Sequence, residues 1–106
     1  MKVIQYNKLV RDKIVSIIEA DGRSATYRQL RSDEQLVELH KKLQEEVNEY
    51  LVSNEISEIA DIYEVLEAIL KIKQVNYIEI NKIKEIKANT NGKFEKGIFL
   101  INITDK

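Results

Sequence analysis

The stretch LHKKLQEEVNEYLVSNEISEIADIYEVLEAILKI, residues 39–72, decides how the chain folds. It holds two short acidic pairs, Glu46/Glu49 and Glu58/Asp61, each spaced i, i+3. On a helix that spacing puts both members on one side, a turn apart. Val52-Ser53-Asn54-Glu55 lies between them and reads as a break. Two helices that meet there and run antiparallel bring Glu49 level with Glu58, and Glu46 level with Asp61. Four carboxylates then converge about two turns from the bend, at ~1.5 Å of rise per residue.

Their direction decides what they do. At about 100° per residue, Ile59, Ile62, Val65, Leu66, Ile69, Leu70 and Ile72 share one broad apolar arc of the second helix. Glu58 falls inside that arc, close to the direction of Val65 and Ile69. Asp61 falls at its edge, beside Ala68 and Ile72, while Glu64 and Glu67 point away. In the first helix Leu36, Leu39, Leu43, Val47 and Tyr50 form the apolar face. Glu46 flanks it, Glu49 lies further round the same flank, and Glu45 points outward. Glu58 is therefore the acid that a solvated surface does not explain.

Packed carboxylates repel, and burying each one costs several kcal/mol by order of magnitude. Three outcomes are open: the acids protonate, pair with Lys or Arg, or bind a cation. Oxygen ligands without cysteine suit Mg2+ or Mn2+, and helical bundles build such sites from inward Glu residues on facing helices. The bland reading is a charge-rich helix pair, with Glu58 near a helix start where acids are favoured. The chain is 33% charged, so both spacings also arise by chance.

At 106 residues the chain reads as one small domain, residues 1–106, with a modest core. A hydrophobic content of 43% makes it globular, and long apolar stripes in a small domain point to pairing with another copy. There is no cysteine, which excludes a disulfide framework and a zinc–thiolate site. No apolar run has the length of a membrane span, and the start does not read as a signal peptide. The expected compartment is the cytoplasm. A net charge of −1 with mixed signs argues against general nucleic-acid binding.

Residues 1–6 read as extended or unstructured. Asn7–Ala20 reads as a helix on Leu9, Val10, Ile14, Ile17 and Ile18, ended by Asp21-Gly22, and its Lys8, Arg11, Asp12 and Lys13 read most simply as a solvated face. Arg23–Arg31 is a connector. Ser32 or Asp33 caps the next helix, which runs to about Val52, and His40 sits near its apolar border, partly packed. The second acidic helix spans about Glu55–Gln74. Asn76 with Glu79 resembles a capping box ahead of a helix over Tyr77–Ala88, broken by Asn89-Thr90-Asn91-Gly92. Phe94–Ile101 is apolar and β-prone, a short strand or extended arm. The fold class is all-α: an antiparallel helical bundle completed by homo-oligomerisation, with a short extended C-terminal tail.

Glu45-Glu46-x-x-Glu49 followed by Glu58-x-x-Asp61 resembles the EExxE…ExxD signature of the all-α nucleoside triphosphate pyrophosphohydrolases, the MazG-like superfamily. Two further stretches sharpen the resemblance: Tyr6-Asn7-Lys8-Leu9-Val10-Arg11-Asp12-Lys13-Ile14 and Gly92-Lys93-Phe94-Glu95-Lys96-Gly97-Ile98. They look like the two ends of a single-domain branch similar to phosphoribosyl-ATP pyrophosphohydrolases, often called house-cleaning. The resemblance spans nearly the whole chain. It implies subunits paired into helical bundles, a homodimer or homotetramer. It also implies Mg2+-dependent cleavage between the α- and β-phosphates, giving a nucleoside monophosphate and pyrophosphate. By motif position Glu46, Glu49, Glu58 and Asp61 are the implied metal ligands and Glu45 orients the water, so Glu45 and Glu46 are the candidate catalytic residues. The chain departs from the family where an Arg often precedes the glycine-phenylalanine stretch. Here the run is Asn89-Thr90-Asn91-Gly92-Lys93, and Lys93 offers a point charge without the Arg fork.

The chemistry suits these residues. A triphosphate cannot approach four bare carboxylates, whereas bound Mg2+, or Mn2+, turns them into the anchor of a cation clamp. The outer phosphates still need cations. Lys8, Arg11 and Lys13 are the first candidates, Lys93 and Lys96 the second, acting within or across subunits. The same chemistry serves a phosphoribosyl-ATP pyrophosphatase of histidine synthesis. A reading of a different class is a non-catalytic helical dimer or regulatory module, marked by acids that pair with Lys or Arg.

Overall fold

The computed structural model describes residues 2–105; Met1, part of the expected N-terminal extension, and Lys106 lie outside them. The described residues form four helices and no strand: α1 Ile14–Ala20, α2 Ser32–Ser53, α3 Ile56–Ile72 and α4 Tyr77–Asn91. They fall into two units, one ending at Gln74 and one beginning at Val75.

The first unit is organised by α2 and α3, which pack along their length. The reversal between them rests on Asn54, whose φ of 59° and ψ of 23° are left-handed. Asparagine tolerates that region better than any branched residue. Its N–H donates to the Tyr50 carbonyl at 2.7 Å, and Ser53 Oγ accepts from the Glu55 N–H at 3.2 Å. The expected break is therefore where the chain turns, and the helices run antiparallel from it.

The buried residues of the core are Leu39, Val65 and Ile69, with Leu9, Leu36, Leu43, Ala68 and Ile72 packed around them. These are the faces that the helical spacing picked out. Each buried aliphatic side chain contributes about 1.5–3 kcal/mol. Three of them make a thin core for a chain of this length. Val37, Tyr63 and Leu66 remain exposed on the same two helices. His40, expected to be partly packed, is exposed as well.

The start of α2 differs from expectation. Arg31, not Ser32 or Asp33, is the capping residue, with extended backbone. Its N–H donates to Glu34 Oε1 at 3.1 Å, while the Arg28 fork donates to both oxygens of Glu34 at 3.3 and 3.0 Å. A carboxylate in the first turn thus satisfies the helix end that a Ser hydroxyl was expected to serve.

The expected helix over Asn7–Ala20 is shorter, beginning only at Ile14. Asn7 is left-handed, at φ 47°. Residues 8–11 are held by tertiary contacts instead: Leu9 reaches the core, and Lys8 and Arg11 pair with acids of α2 and α3. Leu9 and Val10 matched a helical period by coincidence. The packing of Leu9 against the core overrides a weak local preference.

In the second unit Asn76 Oδ1 accepts the Glu79 N–H at 2.9 Å, the cap expected for α4. The helix runs through Asn89–Asn91 and stops at Gly92, whose φ of 83° suits glycine. Asn and Thr weaken a helix without ending it, so the break came three residues later than expected. Residues 98–105 are in neither helix nor strand, and the β-prone run forms no ladder among the described residues. No helix among the described residues is long and apolar enough to cross a membrane.

Candidate metal centre

Three of the four expected ligands meet. Glu46 on α2 and Glu58 and Asp61 on α3 each offer a carboxylate oxygen, all within 4.8 Å of one another. The i, i+3 pair on α3 supplies two of them, and the antiparallel hairpin brings the third level. Glu49 is exposed, yet near enough that its charge acts on both Glu46 and Glu58. It flanks the group that the other three form.

Glu46 is the most constrained of the acids. It is 7% exposed, and its Oε2 is buried without a hydrogen-bond partner. The nearest cation is the Lys42 Nζ, 3.6 Å from the other oxygen, Oε1. Burial pushes the Glu46 carboxyl above its ordinary pKa, and the neighbouring charges of Glu49 and Asp61 add to the rise. Glu58 is raised for the same reasons, desolvation first, then the charges of Glu49 and Asp61. Glu58 is half-buried, so the acid least compatible with a solvated surface is Glu46, not Glu58. Glu58 stands in the first turn of α3, close to the hairpin, where cover is thinner. Glu46 lies deeper along the pair.

Glu45 behaves differently. Lys8 Nζ donates to its Oε1 at 3.0 Å, and Lys42 Nζ stands 3.6 Å from the same oxygen. The Lys8 hydrogen bond holds the Glu45 carboxyl below its ordinary pKa, so it stays ionised. Arg11 Nη2 donates to Asp61 Oδ1 at 2.8 Å. Of the expected phosphate-binding cations, Arg11 therefore engages the acidic cluster itself and Lys8 the neighbouring Glu45. Lys13 is the N-terminal flanking residue of α1, and it makes no ion pair with these acids among the described residues. Lys93 and Lys96 belong to the second unit and are exposed.

Two contributors escaped the sequence reading. Lys42 reaches Glu45 at i, i+3 and Glu46 at i, i+4, a spacing that was readable. Leu9 anchors the segment that carries Lys8 and Arg11, and nothing local announces that.

The donor set is all carboxylate oxygen, drawn from two helices, with one buried oxygen left unpaired. That chemistry fits a hard divalent cation, which takes carboxylate oxygen in preference to nitrogen or sulfur. A cation there would compensate the orphaned Glu46 oxygen and the repulsion that raises two carboxyls. No protein-family model, no curated protein and no solved structure matches this chain.

Proposed function

We propose that the chain is a Mg2+-dependent nucleoside triphosphate pyrophosphohydrolase, with Mn2+ as an alternative ion. The observation that carries this reading is the buried Glu46 carboxyl, which has one unpartnered oxygen and offers an oxygen within 4.8 Å of those of Glu58 and Asp61. The resemblance of Glu45-Glu46-x-x-Glu49 and Glu58-x-x-Asp61 to the MazG-like signature supplies the reaction. The products are a nucleoside monophosphate and pyrophosphate, and the expected role is house-cleaning of nucleotide pools.

Each residue then has a task. Glu46, Glu58 and Asp61 hold the cation, and Glu49 closes the exposed flank. A cation held there would supply charge to neutralise phosphate oxygens and would acidify a water. Glu45, kept ionised by Lys8 and Lys42, accepts a hydrogen bond from that water and aims it. Lys8 and Arg11, on the segment beside the acids, neutralise the outer phosphates.

A second reading has an observation of its own. Arg11 on Asp61 and Lys8 on Glu45 are the ion pairs expected of a non-catalytic helical module. Against it, Glu58 has no Lys or Arg partner among the described residues, and Glu46 Oε2 has none either. The deciding experiment is pyrophosphate release from standard and modified nucleoside triphosphates and from phosphoribosyl-ATP, with Mg2+, Mn2+ or EDTA. Metal-dependent release is the expected result, and the best substrate separates house-cleaning from histidine synthesis. No turnover, together with a melting temperature blind to Mg2+, makes the non-catalytic module correct.

The reading includes a homodimer or homotetramer. A core of three buried aliphatic residues and the exposed Val37, Tyr63 and Leu66 support a second copy covering that surface. Sedimentation equilibrium is expected to give a multiple of the 12.4 kDa chain mass. A stable monomer at micromolar concentration would count against it.

A further inference from the structure

The segment over residues 7–13 crosses both walls of the acidic site. Leu9 pins it to the core. On one side of that pin Lys8 takes Glu45 of α2 at 3.0 Å, and on the other Arg11 takes Asp61 of α3 at 2.8 Å. The two contacts are not equivalent. Glu45 is outside the group of acids whose oxygens lie within 4.8 Å of one another, whereas Asp61 is inside it.

A guanidinium and a divalent cation compete for one small carboxylate. Each draws on the same lone pairs, and the two positive charges repel at that range. Arg11 also offsets the mutual repulsion of Glu46, Glu49, Glu58 and Asp61. A divalent ion does the same with twice the charge, so the reason for Arg11 to stay weakens once the ion is bound. The Arg11 and Asp61 side chains are 59% and 39% exposed, so the pair is a weak one and exchange is easy. A released guanidinium keeps its planar fork, which matches two phosphate oxygens at once.

From this geometry we infer that Arg11 is an exchangeable positioning residue, which holds Asp61 until a divalent cation displaces it and then turns its fork to the substrate's phosphates. The inference rests on the metal-centre reading above. It explains why a residue expected to face phosphate contacts a ligand acid. It also favours an order, cation first and triphosphate second, since the cation takes the carboxylate that Arg11 otherwise pairs with.

The test is Mn2+ binding to the full chain without nucleotide, followed by the electron paramagnetic resonance of free Mn2+. Arg11→Gln is expected to bind Mn2+ about two- to fivefold more tightly than wild type, the range of an exposed ion pair. Arg23→Gln removes the same charge from the pair with Asp21 and is expected to leave Mn2+ affinity unchanged. Hydrogen exchange on the wild type supplies a second readout, independent of any variant's folding. Mn2+ alone is expected to speed exchange at the end of this segment, at the Ile14 N–H that donates to the Arg11 carbonyl at 3.1 Å. Unchanged or weaker Mn2+ binding by Arg11→Gln, or unchanged exchange in that segment, would show a guanidinium that only orients Asp61. If the wild type binds no Mn2+, the metal-centre reading fails and takes this inference with it.

Discussion

Glu58→Gln is expected to abolish pyrophosphate release while leaving the chain at least as stable as wild type. The amide keeps the shape of the side chain but removes an anionic ligand from a set of three that lie within 4.8 Å. Groups that merely orient a ligand are worth about 10–100-fold in metal affinity or activity, so losing a ligand exceeds about a hundredfold. Stability moves the other way. Glu49 and Asp61 both repel the Glu58 carboxylate, and the amide ends that repulsion. The two effects separate in a thermal melt. Mg2+ is expected to raise the wild-type melting temperature; at a hundred times its dissociation constant the stabilisation is about 2.7 kcal/mol. The variant's melt is expected to ignore Mg2+. Wild-type turnover by Glu58→Gln would remove this residue from the site.

Glu46→Gln carries the second large effect, and it depends on pH. In the folded chain the Glu46 carboxyl sits above its ordinary pKa, chiefly through burial. The folded state therefore holds this proton more tightly than the unfolded state. Stability falls as pH rises from the ordinary value through the raised one, and the penalty is complete above it. Glu34 and Glu45 have the opposite sign, because Arg28 and Lys8 lower their carboxyls. Their contribution is present above the ordinary value and is lost as pH falls through the lowered one. In EDTA, Glu46→Gln is expected to melt higher than wild type at pH 7, with a smaller difference at pH 4. Comparing the two proteins at each pH cancels Glu34 and Glu45. Saturating Mg2+ at pH 7 is expected to reverse the order, because only the wild type gains from the ion. Equal differences at both pH values would mean that burial does not penalise the Glu46 charge.

Much of the site was legible because it is local. The i, i+3 acids need only a helix, and the helix needs only the spacing of Leu36, Leu39 and Leu43 or of Val65, Ile69 and Ile72. Asn54 marked the turn, and an antiparallel pair then placed Glu46 opposite Asp61 by simple counting. Where the counting misjudged, a neighbouring element had intervened. Helical periodicity placed Glu58 in the apolar arc because it treats each helix alone. Burial of Glu46 depends on the facing helix along the pair.

The N-terminal segment is the clearest case. Its apolar residues repeat at helical spacing, yet residues 8–11 are drawn across the acids and the helix begins at Ile14. The sequence by itself determined four helical segments, one hairpin and a carboxylate cluster, since each follows from periodicity and turn chemistry within a few residues. Only the tertiary structure decided which carboxylate loses its water and which cation stands against which acid. Burial and ion pairing are properties of surfaces brought together from distant parts of the chain, and no local pattern of residues encodes them.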